Sequence, residues 1–188
     1  MVDKVEIDVV RNLSDFMKSL DLRRTVFVKN SGVPESEEFD GNDFTATHFL
    51  AKVGGKPAAT CRMRYFGDFV RLERACVAPE FAHLHLFASV WDFVKNFAEE
   101  KGFKTGYCLC EKEYLPHWEK QGFKLIKSAT PLKIGQRTLY PVLYRFNPSK
   151  DAVQLNSNPE YMVAPEGKWP TSSSVATAAI RKKRIGRD

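Results

Sequence analysis

The sequence lacks several features that would each point to a function class. No apolar run approaches the ~20 residues that a membrane helix needs. The opening, MVDKVEIDVV, is charged and alternating, without the apolar centre of a secretion signal, so a cytoplasmic protein is expected. There are 4 cysteines, Cys61, Cys76, Cys108 and Cys110, and none forms a CxxC pair, so no zinc knuckle and no metal site is expected. Cys108 and Cys110 stand two apart in an extended stretch. They therefore share one face of a strand and read as small buried fillers. No internal repeat is present. The net charge of +6 is also uneven: the last nine residues, IRKKRIGRD, hold five basic groups against one acid. The body of the chain is thus nearly neutral and offers no basic face. The tail has no aromatics, which excludes base stacking there.

What remains is an ordinary globular pattern. Val5, Ile7 and Val9 alternate as in a half-exposed strand. A helix follows, with Ser14 as the expected N-cap and Phe16, Met17, Leu20, Arg24 and Phe27 at helical spacing. It ends before Gly32 and Pro34. An acidic loop, SGVPESEEFDGND, spans residues 31–43. Three strands then read as a meander over 47–53, 58–66 and 69–78. The last two are joined at Gly67-Asp68, a pair suited to a type II′ hairpin turn. A helix is expected over 84–101, with Leu86, Phe87, Val90, Trp91, Val94 and Phe97 as its apolar stripe and Gly102 as its terminator. A strand near 104–110, a short helix near 113–121 and two strands complete the pattern. Pro141 lies inside the last strand, which predicts a bulge or an edge there. Residues 147–173 read as an irregular strap, and 174–188 as a basic tail with one short helix.

Three separated pieces carry a resemblance. VFVKNSGVPESEEFDGNDFTATHFLA is similar to a segment of the GCN5-related N-acetyltransferase (GNAT) superfamily reading VFV-EQ-GVP-x-E-x-D-x-D-x-x-A-x-H. RACVAPEF resembles its RVAVxPEYRGxGxG motif, and YLPHWEKQGFKL its FYEKxGF motif. The order of elements over residues 1–146 also agrees. The acidic loop resembles, more weakly, that of acyl-homoserine-lactone synthases. The resemblance implies an α/β (α+β) domain with a mixed, mostly antiparallel sheet flanked by helices, plus a C-terminal extension. It further implies an acyltransferase that moves an acyl group from a thioester to an amine. The donor would be acyl-CoA, acetyl-CoA included, or an acyl carrier protein, and the acceptor a small-molecule or protein amine. The contrasting reading is a catalytically inactive GNAT-like module that binds a ligand or a regulatory partner.

The resemblance also assigns residues. Cys76, Val77 and Ala78 correspond to the strand that pairs with the donor's pantetheine arm. The following turn wraps the pyrophosphate at a helix N-terminus. Here the turn departs from the pattern, with Ala82 in place of arginine, and His83, His85 and Phe87 in place of three glycines. The two imidazoles would be either donors to phosphate or exposed turn residues, and Phe87 either a ligand contact or core. Trp118 stands where the family often carries the tyrosine that protonates the leaving thiolate. Tyr114, one turn earlier, is the substitute candidate. Glu73 is the candidate base, on a strand where some family members keep a catalytic glutamate.

The hairpin itself yields a competing reading. A Gly67-Asp68 turn sets Arg62 opposite Glu73 and Arg64 opposite Arg71, all on one face. Glu73 is then a structural partner of Arg62. Two arginines face to face call for an anion, supplied by Glu37, Glu38, Asp40 or Asp43 of the acidic loop, or by a ligand. Glu38, Asp40, Arg62, Arg64 and Arg71 are therefore the candidate acceptor-binding residues. The basic tail is expected to be disordered, to dock on a partner protein or a second copy, or to touch nucleic acid or an anionic membrane.

Overall fold

The computed structural model describes residues 4–169. The basic tail and its expected helix lie outside the described residues, as does the end of the strap.

The first strand, β1 (Val5–Val9), leads into α1 (Leu13–Arg23). Asn12, not Ser14, caps this helix: its side chain accepts from the Asp15 N–H at 2.8 Å, and Ser14 sits inside the first turn. α1 runs on into a wider π-type turn over Arg24–Asn30. The buried stripe of α1 is Ser19, Leu22 and Arg23 rather than the more apolar Phe16, Met17 and Leu20. A polar stripe can be buried only because the sheet face beneath it is polar too: Ser19 meets Thr60, and Arg23 meets carboxylates.

The acidic loop folds into α2 (Glu35–Glu38) and a 3₁₀ turn over Asn42–Thr45. The meander follows as β2 (Thr47–Val53), β3 (Lys56–Phe66) and β4 (Phe69–Val77). Gly67 turns the hairpin at φ 43°, a value its missing Cβ permits. The long helix α3 (Leu86–Glu100) buries Leu86, Val90, Trp91, Val94, Phe97 and Ala98. It is followed by β5 (Thr105–Glu111), α4 (Leu115–Lys120), β6 (Lys124–Leu125), β7 (Leu132–Ile134) and β8 (Arg137–Arg145), and then by a single turn, α5 (Glu160–Val163).

Among the described residues these strands form one sheet in the order β1-β2-β3-β4-β5-β8-β6, with β7 also on β8. Only β4 and β5 are parallel. The expected meander, alternation and mixed sheet are all present. The reading of Pro141 needs correction, because β8 is an inner strand without a register shift. Pro141 faces Leu109 on one side. On the other, its carbonyl accepts from the Ile126 N–H at 2.9 Å, between the short pairings of β6 and β7. Its missing N–H thus falls in a gap where no ladder partner waits.

The segment after β8 lies against the body. Ala152 is buried, Trp169 packs on Phe97 with ring centroids 5.3 Å apart, and Arg11 donates to the Glu166 carbonyl at 2.7 Å. No helix among the described residues is long and apolar enough to cross a membrane.

Candidate active site

The site originates in two departures from regular pairing in β4. First, β4 and β5 share only two register pairs, Val70 with Gly106 and Arg71 with Tyr107. Beyond them the strands part, and the facing edges of 72–77 and 108–111 have no ladder between them. Second, the β3–β4 register shifts between Thr60 and Arg62, and Arg74 at this bulge has φ 56°, a left-handed value that a non-glycine residue rarely takes. The bulge turns Arg74 toward the acidic loop. Its guanidinium donates to the Glu37 carbonyl at 2.6 Å and lies 3.1 Å from a Glu38 oxygen.

A cavity of about 690 Å³ opens where the strands part. Phe27, Val33, Glu37, Glu38 and Asp40 line it from the α1–α2 side. Arg71, Glu73, Cys76 and Val77 line it from β4, and Leu109 from β5. Phe87, Tyr114, His117 and Trp118 close it from the helices, and Leu132, Ile134 and Leu139 from the β7–β8 hairpin.

Behind the cavity lies a buried ion-pair network. Arg23 and Arg62 are both fully buried. Arg23 donates to Glu38 at 2.6 Å and also pairs with Asp43. Arg62 donates to Asp40 and to Asp43, each at 2.8 Å, and to Glu73 at 2.8 and 3.0 Å. Burial alone would push the Asp40 and Asp43 carboxyls up. Hydrogen bonds outweigh it, from Arg62 and Asn42 for Asp40 and from Arg23 and Arg62 for Asp43, and both carboxyls sit below the usual range. For Glu38 burial prevails over Arg23 and Arg74, and its carboxyl is pushed up. His48, buried beside Asp43, is pushed down by burial and is neutral near pH 7.

Most of the expected site residues meet here. Glu38, Asp40, Arg71, Glu73, Cys76, Val77, Phe87 and Tyr114 all line the cavity. Arg62 stands behind it, paired with Glu73 in register and in contact. Arg64 does face Arg71, but the anion between them is Glu73, not the acidic loop. The Glu73 oxygens lie 3.0 Å from Arg71 Nε and 3.8 Å from Arg64 Nε. Arg64 stays out of the cavity and stacks on Phe66 at 4.9 Å. Ala78 also falls outside, because its N–H donates to the Ala58 carbonyl at 2.8 Å and so is not free for a ligand. His83 on the 3₁₀ turn over Pro79–Leu84 and His85 just after it are both exposed and do not line the cavity. Phe87 packs edge-on against Trp118 at 5.3 Å, and Trp118 against Phe123 at 4.7 Å, so Trp118 packs rather than ionises. Tyr114 and Trp118 share one side of the turn, which brings the phenol to the cavity without any rotation of the helix. All four cysteines are free and buried, and burial raises the Cys61 thiol to about 12 and the Cys110 thiol to about 11. No group of three or more metal-ligating side chains occurs among the described residues.

Four participants were not singled out from sequence. Arg23 sits next to the more conspicuous Arg24, and only the phase of the helix tells them apart. Arg74 enters through a bulge. His117 and the β7–β8 hairpin carry no periodic signal strong enough to place them.

No protein-family model matches the chain. An uncharacterised N-acetyltransferase of Bacillus subtilis, YjcF, is 26% identical over 131 residues, covering 68% of this chain and 91% of that protein. The structure of an acyl-CoA N-acyltransferase from Pseudomonas aeruginosa matches with a TM-score of 0.67 at 17% identity, over 74% of this chain and 99% of that one. The fold is that of the GCN5-related N-acetyltransferases. A CoA-dependent acyl-homoserine lactone synthase, BjaI, solved with SAM and isopentyl-CoA, matches with a TM-score of 0.65 at 16% identity, over 77% of this chain and 84% of that one. The GNAT fold thus accounts for both resemblances seen in the sequence.

Within this GNAT fold the glycine-poor turn keeps one glycine-like feature. His85 has φ 50° and ψ 37°, the left-handed conformation, at a position where the GNAT motif carries glycine. The backbone keeps a bend that its side chain disfavours by about 1–2 kcal/mol. Glycine relieves that strain but adds freedom to the unfolded chain. His85→Gly should therefore raise stability by about 0.5–1 kcal/mol. Thermal unfolding of both proteins checks this, and a lowered midpoint would mean that the imidazole makes a stabilising contact.

Proposed function

We propose that the protein is an N-acyltransferase that carries an acyl group from acyl-CoA to an amine, with the transfer taking place where β4 and β5 part. One observation carries this reading: two adjacent parallel strands stop pairing after two register pairs, and a cavity fills the gap. An unpaired strand edge is costly unless something extended can add to it. A pantetheine arm, with two amides in a row, meets that requirement alongside Cys76 and Val77. The left-handed His85 at the start of α3 favours a rebuilt phosphate turn over an abandoned one, with CoA preferred to carrier protein as donor.

The chemistry then follows from the lining residues. The acyl carbon exchanges sulfur for nitrogen, the amine loses a proton, and the departing thiolate gains one. Tyr114 is our candidate for returning that proton. Partial burial and the neighbouring Glu113 move its phenol further above an ordinary value that already keeps it protonated near neutral pH. Both Glu73 oxygens lie against arginines, which suits positioning better than proton uptake. His117 is the imidazole among the lining residues and the candidate to receive the amine's proton. The apolar lining from Phe27, Leu132, Ile134 and Leu139 suits an acyl group longer than acetyl.

Calorimetric titration with acetyl-CoA and with a long-chain acyl-CoA tests the reading. Saturable micromolar binding is expected, tighter for the longer chain. A folded sample that binds neither would sink it and leave the non-catalytic binding module.

A further inference from the structure

The network behind the cavity does not balance. Five guanidiniums (Arg23, Arg62, Arg64, Arg71 and Arg74) meet four carboxylates (Glu38, Asp40, Asp43 and Glu73). Three of the carboxylates belong to the loop and are taken by Arg23, Arg62 and Arg74. Arg64 and Arg71 face each other across the hairpin and share Glu73, which is already bound to Arg62. Like charges in register destabilise a strand pair unless an anion lies between them. One carboxylate divided among three arginines leaves that need partly unmet.

The surplus charge is concentrated on Arg71. Its Nε is buried and lies 3.0 Å from a Glu73 oxygen, but at an angle that makes no hydrogen bond. Its two terminal nitrogens have no hydrogen-bond partner among the described residues. The other cations that line the cavity are already engaged: Arg74 with Glu38 and the Glu37 carbonyl, Arg137 with Glu111. Arg71 also stands at the last register pair of β4 and β5, beside Tyr107, where the strands begin to part. That is where the acyl carbon and the amine have to meet.

We propose that the accepted amine carries a carboxylate, and that Arg71 holds this carboxylate through its two terminal nitrogens. The acceptor class is then amino acids and related carboxylated amines. The proposal rests on the acyl-transfer reading and adds the identity of the acceptor. A guanidinium presents two parallel donors that fit a carboxylate in one plane. Glu73 does not repel the ligand, because Arg62 and Arg64 neutralise it from behind.

The test uses product analogues, so that it does not depend on turnover. N-hexanoylglycine and N-hexanoylglycinamide are titrated by calorimetry into the full chain and into Arg71→Gln. The acid should bind about tenfold or more tightly than the amide, and Arg71→Gln should abolish that difference. A retained acyl-CoA affinity shows that the variant is folded. If Arg71→Gln does not fold, Arg71→Lys keeps the charge without the fork and should reduce the preference. Equal binding of acid and amide, or binding of neither while acyl-CoA binds, would overturn the proposal and leave acyl transfer standing. The same holds if succinyl-CoA binds more tightly than hexanoyl-CoA through Arg71 while the glycine conjugate does not bind, because the carboxylate would then belong to the donor. Selective binding of the acid without any acyl-CoA binding would keep the carboxylate site and refute the transferase reading.

Discussion

Replacing Arg62 with leucine should remove about 3–5 kcal/mol of folding stability, because it strips one partner from a buried ionic cluster and leaves the others uncompensated. Arg62 is fully buried and holds Asp40, Asp43 and Glu73 together. Without it Asp40 loses its main counter-ion, and Asp43 must rely on Arg23. Urea unfolding monitored by fluorescence measures the loss, and a change below about 1 kcal/mol would show that the cluster relaxes or hydrates instead. The pH dependence gives an independent check. Asp40 and Asp43 have folded pKa values below their unfolded values. Their stabilisation is therefore present above the ordinary carboxylate pKa of about 4 and is lost as pH falls through the folded values. Glu38, whose pKa is raised, acts in the opposite sense: burial favours its protonated form, and its effect turns unfavourable as pH rises above about 4. Below about pH 4 Glu38 is protonated in both states and only the aspartates still titrate, so wild-type stability should fall there. In Arg62→Leu that fall should be shallower, since the aspartates no longer have the partner that depressed them.

Trp91→Ala should cost about 3–5 kcal/mol, the usual range for removing a large buried aromatic. Its indole lies 4.8 Å from Phe123 and 4.9 Å from Tyr144 by ring centroid, and is 5% exposed. The consequence goes beyond the cavity left behind. β4 and β5 share only two register pairs, and α3 adds aromatic contacts to both halves of the sheet. Phe93 and Phe97 of α3 pack on Phe49 in β2, while Trp91 packs on the β8 side. Removing the indole should loosen one half relative to the other, and with it the width of the parted strands. Acyl-CoA affinity should therefore fall along with stability, and Trp91→Phe should retain most of both. Unchanged affinity in a destabilised Trp91→Ala protein would mean that the strands are held apart by some other contact.

The two substitutions mark a difference in what could be read beforehand. Trp91 was legible as core, because it recurs in phase with Val90, Val94 and Phe97 along a helix. Arg62 was legible only in part. Counting back from the Gly67-Asp68 turn set it opposite Glu73, and Arg64 opposite Arg71. That register is local and follows from the turn. Its third dimension was not accessible. The sequence offered the acidic loop or a ligand as the anion between Arg64 and Arg71, whereas the loop goes to Arg23, Arg62 and Arg74, and Glu73 lies between the facing two. The reason lies in α1, whose buried stripe is polar. Hydrophobic spacing favours Phe16, Met17 and Leu20 and cannot anticipate that Ser19 and Arg23 face the sheet.

The sequence by itself determined the order of the main elements, the meander and the register beside its Gly67-Asp68 turn, the apolar stripe of α3 and the resemblance to GNAT proteins. Each of these depends on residues close together in the chain: alternation, helical spacing, a two-residue turn, a short motif. The tertiary structure alone decided where β4 and β5 part, how the bulge at Arg74 turns that side chain to the loop, which carboxylate serves which arginine, and that Arg71 keeps unpaired donors in the cavity. Those outcomes depend on charges and strand edges far apart in sequence, whose pairing is settled only when burial makes each unpaired group costly.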